Sequence, residues 1–142
     1  MYLNISVPLC LREKKYTTKD AFMLITMLKS KLHFIRVTSA EPDYEGSMSL
    51  DRDFMDAVGL HPFEKILVAN RENGNRFETY VIEAPRGSRT AGLNGATALL
   101  GKKGDRVIVF AFCQLTEEEQ KTHRPKVAVF GEGNAMVRKT GV

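Results

Sequence analysis

Two alternating segments joined by an Asn-Gly turn place the strongest constraint on the fold of this 142-residue chain. Residues 64–71 (EKILVANR) and 76–84 (RFETYVIEA) are rich in the apolar, β-branched and aromatic residues typical of strands. Between them lies the turn sequence ENGN, whose Asn73-Gly74 pair suits the positive backbone dihedrals of a tight hairpin. These segments predict an antiparallel hairpin.

Shorter elements on both sides extend the prediction to a mainly β chain. A strand is predicted over residues 28–37, with Leu32 and Phe34 on its buried face. A short helix is predicted between Asp51 as N-cap and Gly59 as terminator. Later segments predict a strand at 90–93, a helical turn at 96–100 and a longer strand at 106–113. They also predict a capping box at 116–119 and a last strand at 127–130, before a polar tail. Short strands separated by tight turns and small helices indicate a compact β-barrel.

The length of the chain predicts one domain. With 43% hydrophobic residues, residues 23–142 can bury one sizeable core. Residues 1–22 show no sustained period and are expected to be an N-terminal extension, with Met23 as a candidate natural start. The apolar stretch 21–25 is far shorter than the roughly 20 residues of a membrane span, and no signal-peptide pattern is present. We therefore expect a cytoplasmic protein without a membrane partner.

Charge, cysteine and histidine usage narrow the function classes. The net charge of +4 comes from 21 basic and 17 acidic residues spread along the chain, so a nucleic-acid partner is not expected and a small anionic ligand fits better than a polyanion. Cys10 and Cys113 lie far apart, which favours reduced thiols in a cytosolic setting. His33, His61 and His123 have no second ligand at metal-binding spacing, so no metal site is expected.

Four groups of residues carry a more specific signal. They are MLKSKLH (27–33), YEGS (44–47), NGNRFETYVI (73–82), and RGSR followed by LNGA (86–89, 93–96). In this order and spacing they resemble the aspartate 1-decarboxylase family, pyruvoyl-dependent enzymes that make β-alanine. The resemblance runs from about residue 23 to about residue 130. No Gly-rich phosphate loop or GxSxG motif points to a different chemistry.

The resemblance implies a double-psi β-barrel with short helices, assembled as a homotetramer with sites between subunits. It implies α-decarboxylation of L-aspartate to β-alanine and CO2, for pantothenate and coenzyme A biosynthesis. It also implies that the chain cuts itself at Gly46-Ser47, and not at Gly87-Ser88, to leave a pyruvoyl group where Ser47 was. In some relatives a small acetyltransferase-like protein triggers this cleavage, so a maturation-stimulating partner is a further expectation.

The cleavage chemistry explains the residue types. A serine hydroxyl can attack the carbonyl immediately before it and form an ester, after which elimination and hydrolysis leave the pyruvoyl group. Glycine at position 46 leaves that carbonyl unhindered and tolerates a strained turn. By the family match, Thr79 is the candidate donor to the oxyanion and Asn94 helps to position the processing site.

The resemblance also assigns residues to the decarboxylation. The pyruvoyl carbonyl condenses with the substrate amine as a Schiff base and accepts the electrons released with carbon dioxide. Because a cation paired with the departing carboxylate would oppose its loss, Arg76 and Lys31 are assigned to the side-chain carboxylate. Tyr80 is the expected acid that returns a proton to the α-carbon. The remaining predicted substrate contacts are Asn94, Gly95 and Ala96, with His33 and Tyr44 as weaker candidates.

Two other functions stay open at this point. One is a non-enzymatic β-barrel, such as a basic DNA-binding dimer of the swapped-hairpin type, in which Gly46-Ser47 is only a turn. The other is a pyruvoyl-dependent decarboxylase of another amino acid such as glutamate, whose extra methylene the Arg76 clamp would have to accommodate. Without the family match, Arg76 would be interpreted as a solvated residue and Tyr80 as a packing residue.

Overall fold

The computed structural model describes residues 23–141. Within them the chain forms nine strands, two α-helices and two 3₁₀ helices. The strands are β1 (Leu24–Arg36), β2 (Ser39–Glu41), β3 (Met48–Asp51), β4 (Lys65–Asn70), β5 (Arg76–Ala84), β6 (Ala91–Asn94), β7 (Arg106–Thr116), β8 (Lys126–Phe130) and β9 (Met136–Thr140). The helices are α1 (Arg52–Val58) and α2 (Glu117–Gln120), with 3₁₀ helices at Gly95–Leu99 and Glu132–Asn134. The extension predicted for residues 1–22 lies outside the described residues.

The strands form one continuous sheet in the order β2-β6-β3-β5-β4-β7-β1-β8-β9. Three of the neighbouring pairs, β1 with β8, β2 with β6 and β3 with β5, are parallel. The sheet surrounds one core to which α1 and all strands except β2 and β9 contribute buried apolar side chains. The prediction of a mainly β fold, a double-psi β-barrel with short helices, is confirmed.

The elements predicted from local signals are present. Asp51 caps α1 by accepting a hydrogen bond from the Asp53 backbone N–H, and Gly59 ends the helix at φ 68°. The predicted capping box opens α2, where Thr116 and Glu119 bond reciprocally. Short sequence windows contain all the partners that these structures need, which is why the predictions hold.

The hairpin between β4 and β5 is confirmed, but its turn is less tight than predicted. Gly74 has φ 77°, whereas Asn73 does not adopt a positive φ. The Gly74 backbone N–H donates to the Asn70 carbonyl at 2.9 Å, and the Asn70 N–H donates to the Asn75 carbonyl at 2.8 Å. The five residues 71–75, of which only one is left-handed, therefore join the strands.

Two strand predictions were wrong. Phe34 does not lie on the buried face of β1, because the pairing with β7 shifts register between Leu32 and Ile35. Phe34 adopts φ 64° and Ile35 takes the core position, fully buried. The predicted polar tail instead contains β9, which pairs antiparallel with β8 while all its side chains stay exposed. A strand held by backbone bonds alone leaves no hydrophobic period in the sequence.

In the part of the chain that the structure describes, no helix is long and apolar enough to cross a membrane.

Candidate active site

The Gly46-Ser47 peptide bond lies at the entrance to β3, and the burial of its serine separates it from an ordinary turn. Gly46 has φ 101°, a region that residues with a side chain rarely adopt. Ser47 is only 3% exposed, and its hydroxyl has no hydrogen-bond partner among the described residues. Because buried hydroxyl groups are nearly always bonded, an unpaired one beside the Gly46 carbonyl is a functional signal.

Strand β6 fixes the backbone carbonyl of Ser47 by a hydrogen bond. The Asn94 backbone N–H donates to the Ser47 carbonyl at 2.8 Å. The buried Asn94 side chain donates from Nδ2 to Ser49 Oγ at 2.8 Å, which ties the ends of β6 and β3 together. The Thr97 hydroxyl donates to the Asn94 carbonyl at 2.8 Å and so fixes the 3₁₀ helix that follows. Asn94 thus positions Ser47 mainly through its backbone.

Gly95 borders the carbonyl that Ser47 would attack. A methyl group on Gly95 would lie 3.3 Å from the Gly46 carbonyl oxygen and 3.4 Å from the Tyr44 carbonyl oxygen. Gly95 also adopts φ 64°. Glycine at this position therefore avoids a steric clash with the Gly46 carbonyl. The Tyr44 side chain is 60% exposed.

Tyr80 reaches the other side of the same bond. Parallel pairing sets Met48 of β3 opposite Val81 of β5, so the residues preceding each lie side by side. A methyl group on Gly46 would lie 3.8 Å from the Tyr80 hydroxyl oxygen. Phe63, which adopts φ 67° and is 75% exposed, lies beside the Tyr80 ring at a centroid distance of 6.4 Å. The tyrosine is therefore close to the cleavage site and still open to solvent.

Thr79 lies next to Tyr80 but points to the opposite face of β5, as strand geometry requires. It is half-buried and pairs with Ile66 of β4. Its hydroxyl makes no hydrogen bond within residues 23–141. Its assignment to the oxyanion therefore stays a prediction.

Arg76 lies at the far end of β5 from the Gly46-Ser47 bond. Arg76 is exposed and lies four positions before Tyr80. At the usual rise of a strand, the two Cα atoms are roughly 13 Å apart. Arg76 and Tyr80 share the outer face of the strand because their spacing is even. One chain therefore does not bring the Arg76 guanidinium to its own Ser47.

Lys31 lies three strands away from β5 on the same outer face. It pairs with Phe110 of β7, which pairs with Leu67 of β4, which pairs with Glu78 of β5. At ordinary strand spacing this row spans roughly 14 Å. The Lys31 ammonium lies 5.7 Å from the centre of the Phe110 ring. Lys31 is thus also remote from the Ser47 of its own chain.

His33 follows Lys31 on β1, in a cationic setting. Burial first, and then the charges of Lys31 and Arg138, lower its pKa below the usual 6.5. Its ring stacks on Phe34 at 3.9 Å, and Nδ1 is buried without a partner among the described residues. The neutral imidazole is therefore favoured. Within residues 23–141 no group of three or more His, Cys, Asp or Glu side chains could hold a metal ion.

The family model described as aspartate decarboxylase matches residues 23–137. The chain belongs to the aspartate decarboxylase family. An aspartate 1-decarboxylase from Caulobacter vibrioides is 54% identical over 114 residues, which cover 80% of this chain and 97% of that protein. One from Maricaulis maris is 50% identical over 117 residues, covering 82% and 97%, and one from Caldicellulosiruptor saccharolyticus is 50% identical over 116 residues, covering 82% and 91%.

In this aspartate decarboxylase family member, the predicted site residues fall into two groups. Those around the cleavage bond lie together in one chain: Gly46, Ser47, Tyr80, Asn94 and Gly95. Ala96 follows them in the 3₁₀ helix and is exposed. The three basic residues Lys31, His33 and Arg76 lie elsewhere on the outer face of the sheet.

Sequence reasoning missed three neighbours of this decarboxylase site. Ser49 anchors the Asn94 side chain. Ile82 lies 3.6 Å from the position that a methyl group on Gly46 would occupy, and Phe63 flanks Tyr80. Ser49 lies two residues after Ser47 and could have been found from strand alternation, since i and i+2 share a face. Phe63 reaches the site only through its unusual backbone angle, which no local pattern predicts.

Proposed function

We propose that this protein converts L-aspartate to β-alanine and CO2, for pantothenate and coenzyme A biosynthesis, after cutting its own backbone between Gly46 and Ser47. The observation that carries the proposal is the buried, unpaired Ser47 hydroxyl next to a glycine at φ 101°. Membership of the aspartate decarboxylase family supports the choice of substrate.

Cleavage would begin with attack of Ser47 Oγ on the Gly46 carbonyl carbon. An ester C–O bond forms, the peptide C–N bond breaks, and the hydroxyl proton moves to the released amine. Loss of the Ser47 α-proton then expels the Gly46 carboxylate and leaves an unsaturated residue. One water hydrolyses its nitrogen away as ammonia and completes the pyruvoyl group. We assign Thr79 to the oxyanion and Asn94, whose N–H binds the Ser47 carbonyl at 2.8 Å, to alignment.

The surroundings of Ser47 suit a covalent pyruvoyl group, because a buried position with no partner for the hydroxyl loses no hydrogen bond when that hydroxyl disappears. Such a group supplies a carbonyl that accepts the electrons of the bond to the departing carboxylate. Tyr80 is 43% exposed and would return the proton to the α-carbon from its hydroxyl. Arg76 and Lys31 would bind the substrate's side-chain carboxylate, which stays on the product.

We propose a homotetramer in which neighbouring subunits share each site. Support comes from the separation of Arg76 and Lys31 from Ser47 within one chain, and from apolar side chains on the outer surface. Leu24 is 52% exposed and Phe112 is 47% exposed. Association would bury such groups. A cytoplasmic location fits the two widely spaced cysteines, and a maturation-stimulating protein is a further candidate partner.

Denaturing mass spectrometry of the purified protein tests the cleavage. The wild type should divide after Gly46, and the larger fragment should have a blocked N-terminus. Ser47→Ala should remain one intact chain. Ser88→Ala is the matched control, because Gly87-Ser88 is the same dipeptide, but Ser88 is exposed and its hydroxyl accepts from the Thr90 N–H at 3.4 Å.

A substrate panel tests the reaction. The cleaved wild type and Ser88→Ala should release CO2 from L-aspartate with formation of β-alanine, and should leave L-glutamate, one methylene longer, largely unreacted. Ser47→Ala should be inactive. Cleavage of Ser47→Ala between residues 46 and 47, or a cleaved wild-type chain that forms no β-alanine, would contradict the proposal.

A further inference from the structure

A second polar cleft lies outside the candidate active site, where the end of β1 meets the turn before β6, the loop before β7 and the second 3₁₀ helix. Its volume is about 420 Å³. We call it the basic cleft; it is lined by Arg36, Val37, Thr38, Ser88, Arg89, Lys103, Gly104, Gly133 and Asn134. Three lining residues are cationic, and no carboxylate lines the cleft within residues 23–141.

Each arginine side chain of the basic cleft is anchored by a hydrogen bond to a backbone carbonyl, and most of its N–H donors remain unused. Arg36 Nη1 donates to the Gly104 carbonyl at 3.1 Å, and Arg89 Nη1 donates to the Gly133 carbonyl at 3.1 Å. A guanidinium carries five N–H donors, so each retains several for a ligand. The backbone next to Lys103 is fixed, because the Gly104 N–H donates to the Val37 carbonyl at 2.8 Å.

A buried asparagine fixes the backbones of both arginines at once. Asn134 is 3% exposed, and its Oδ1 accepts from the Arg36 N–H at 2.7 Å. Its Nδ2 donates to the Arg36 carbonyl at 2.9 Å and to the Arg89 carbonyl at 3.1 Å. Asp51 accepts from the Arg89 N–H at 2.6 Å. The two cations are therefore held in place before any ligand arrives, which lowers the entropic cost of binding.

The surroundings do not neutralise this charge. An adjacent cleft of about 470 Å³ shares Arg36 and Gly133 and also contains Arg106 and Glu132. Arg106 is paired with Glu72 at 2.9 Å, so Glu132 and the buried Asp51 beside the Arg89 backbone set two carboxylates against the three cations. The local balance remains positive, and the field of such a cleft attracts anions.

We propose that the basic cleft binds the phosphate group of a small phosphate-bearing molecule. Arginine forks match the tetrahedral oxygens of phosphate, and a dianion suits a cleft with three cations better than a monocarboxylate does. The exposed Ser88 hydroxyl adds a polar group at the rim. The volume lies in the range of small-molecule sites, so an organic portion can be accommodated beside the phosphate.

Calorimetric titration of the purified full-length protein tests the proposal, with ADP, inorganic phosphate and adenosine, which lacks the phosphate, as probes at low ionic strength. ADP should bind saturably, and more weakly at 0.15 M salt because of screening. Lys103→Gln should weaken ADP binding about threefold, the size expected for one exposed charge pair. Arg89→Gln should weaken it roughly tenfold or more, because guanidinium bonds to phosphate are charge-assisted.

Lys102→Gln is the matched control, since it removes the adjacent positive charge but lines a different cleft, beside Glu72 and Asp105. It should leave binding unchanged. Tighter binding of ADP than of phosphate identifies an organic phosphate as the ligand, and equal binding identifies the free ion. No saturable binding of ADP, equal effects of Lys102→Gln and Lys103→Gln, or adenosine binding as tightly as ADP would overturn the proposal. The measurement reads binding alone and does not depend on self-cleavage.

Discussion

At the scale of single residues, two Gly-Ser pairs show which property distinguishes a cleavage site from a turn. Gly46 and Gly87 both have positive φ, 101° and 78°. Their serines differ, because Ser47 is buried with an unpaired hydroxyl and Ser88 is exposed. Burial depends on strands far away in sequence. The dipeptide therefore could not identify the site, and only the family match did so.

Gly95→Ala should impair cleavage more than stability. The added methyl group would lie 3.3 Å from the Gly46 carbonyl oxygen and displace it from Ser47. We expect roughly a tenfold slower cleavage or more, since small misplacements of reacting atoms are costly. A mass-spectrometric time course of intact and cleaved chains measures the rate.

Gly74→Ala is the control for Gly95→Ala, because it adds a methyl group to a left-handed glycine without a steric clash. Gly74 has φ 77° but no atom within 4 Å of the added methyl group. Both variants should lose about 1 kcal/mol of stability to the left-handed backbone. Only Gly95→Ala should slow cleavage, and equal cleavage rates for the two variants would contradict a role for Gly95 at the carbonyl.

At the scale of elements, Asp51 connects α1 with the turn that leads into β6. It is 1% exposed, and its carboxylate accepts from the backbone N–H groups of Asp53 at 2.8 Å, Gly87 at 3.1 Å and Arg89 at 2.6 Å. The sequence predicted only the first of these bonds, because an N-cap lies within three residues of its helix. The other two bridge more than thirty residues and depend on the pairing of β3 with β6.

Asp51→Asn should therefore destabilise the protein by about 2–3 kcal/mol, because an amide N–H₂ replaces one acceptor and faces backbone donors. Asp53→Asn is the control: it removes an exposed ion pair with Arg86 and should cost at most about 1 kcal/mol. Urea unfolding followed by circular dichroism measures both. An equal loss of stability in the two variants would contradict a stabilising role for the Asp51 bonds beyond the helix cap.

The same distinction between local and distant partners explains which elements were predictable. The β4–β5 hairpin, α1 and the capping box of α2 each contain their own signals. The bulge that turns Phe34 out of the core of β1 arises from pairing with β7, more than seventy residues away. Likewise β9 exists because β8 offers a free edge, a fact that its own polar residues do not encode.

At the scale of the whole molecule, the residues proposed for cleavage and those proposed for carboxylate binding lie apart within one chain. Tyr80 reaches the cleavage bond of its own chain, whereas Arg76 lies roughly 13 Å further along β5. The resemblance of the sequence assigned both residues to one site without indicating how many chains contribute to it. Only the strand register reveals the separation.

Mixed assemblies of inactive variants can decide whether neighbouring chains complete each site. Ser47→Ala cannot form the pyruvoyl group, and Arg76→Ala lacks the proposed carboxylate clamp. In a shared site, an intact Ser47 from one chain can meet an intact Arg76 from its neighbour. Random mixing should then restore about a quarter of wild-type β-alanine formation, because half of the sites retain Ser47 and half of those face an intact Arg76.

Co-expression of Ser47→Ala with Tyr80→Phe provides the contrast, since Tyr80 and Ser47 belong to the same chain's half of the site. Every site with a pyruvoyl group would then lack its own tyrosine hydroxyl, and only half of the sites would carry that group, so activity should be about half that of Tyr80→Phe alone. Assemblies purified through two different tags and assayed for β-alanine measure both cases. Failure to rescue the arginine pair would contradict a site shared between chains, and rescue of the tyrosine pair would contradict the assignment of Tyr80 to the Ser47 of its own chain.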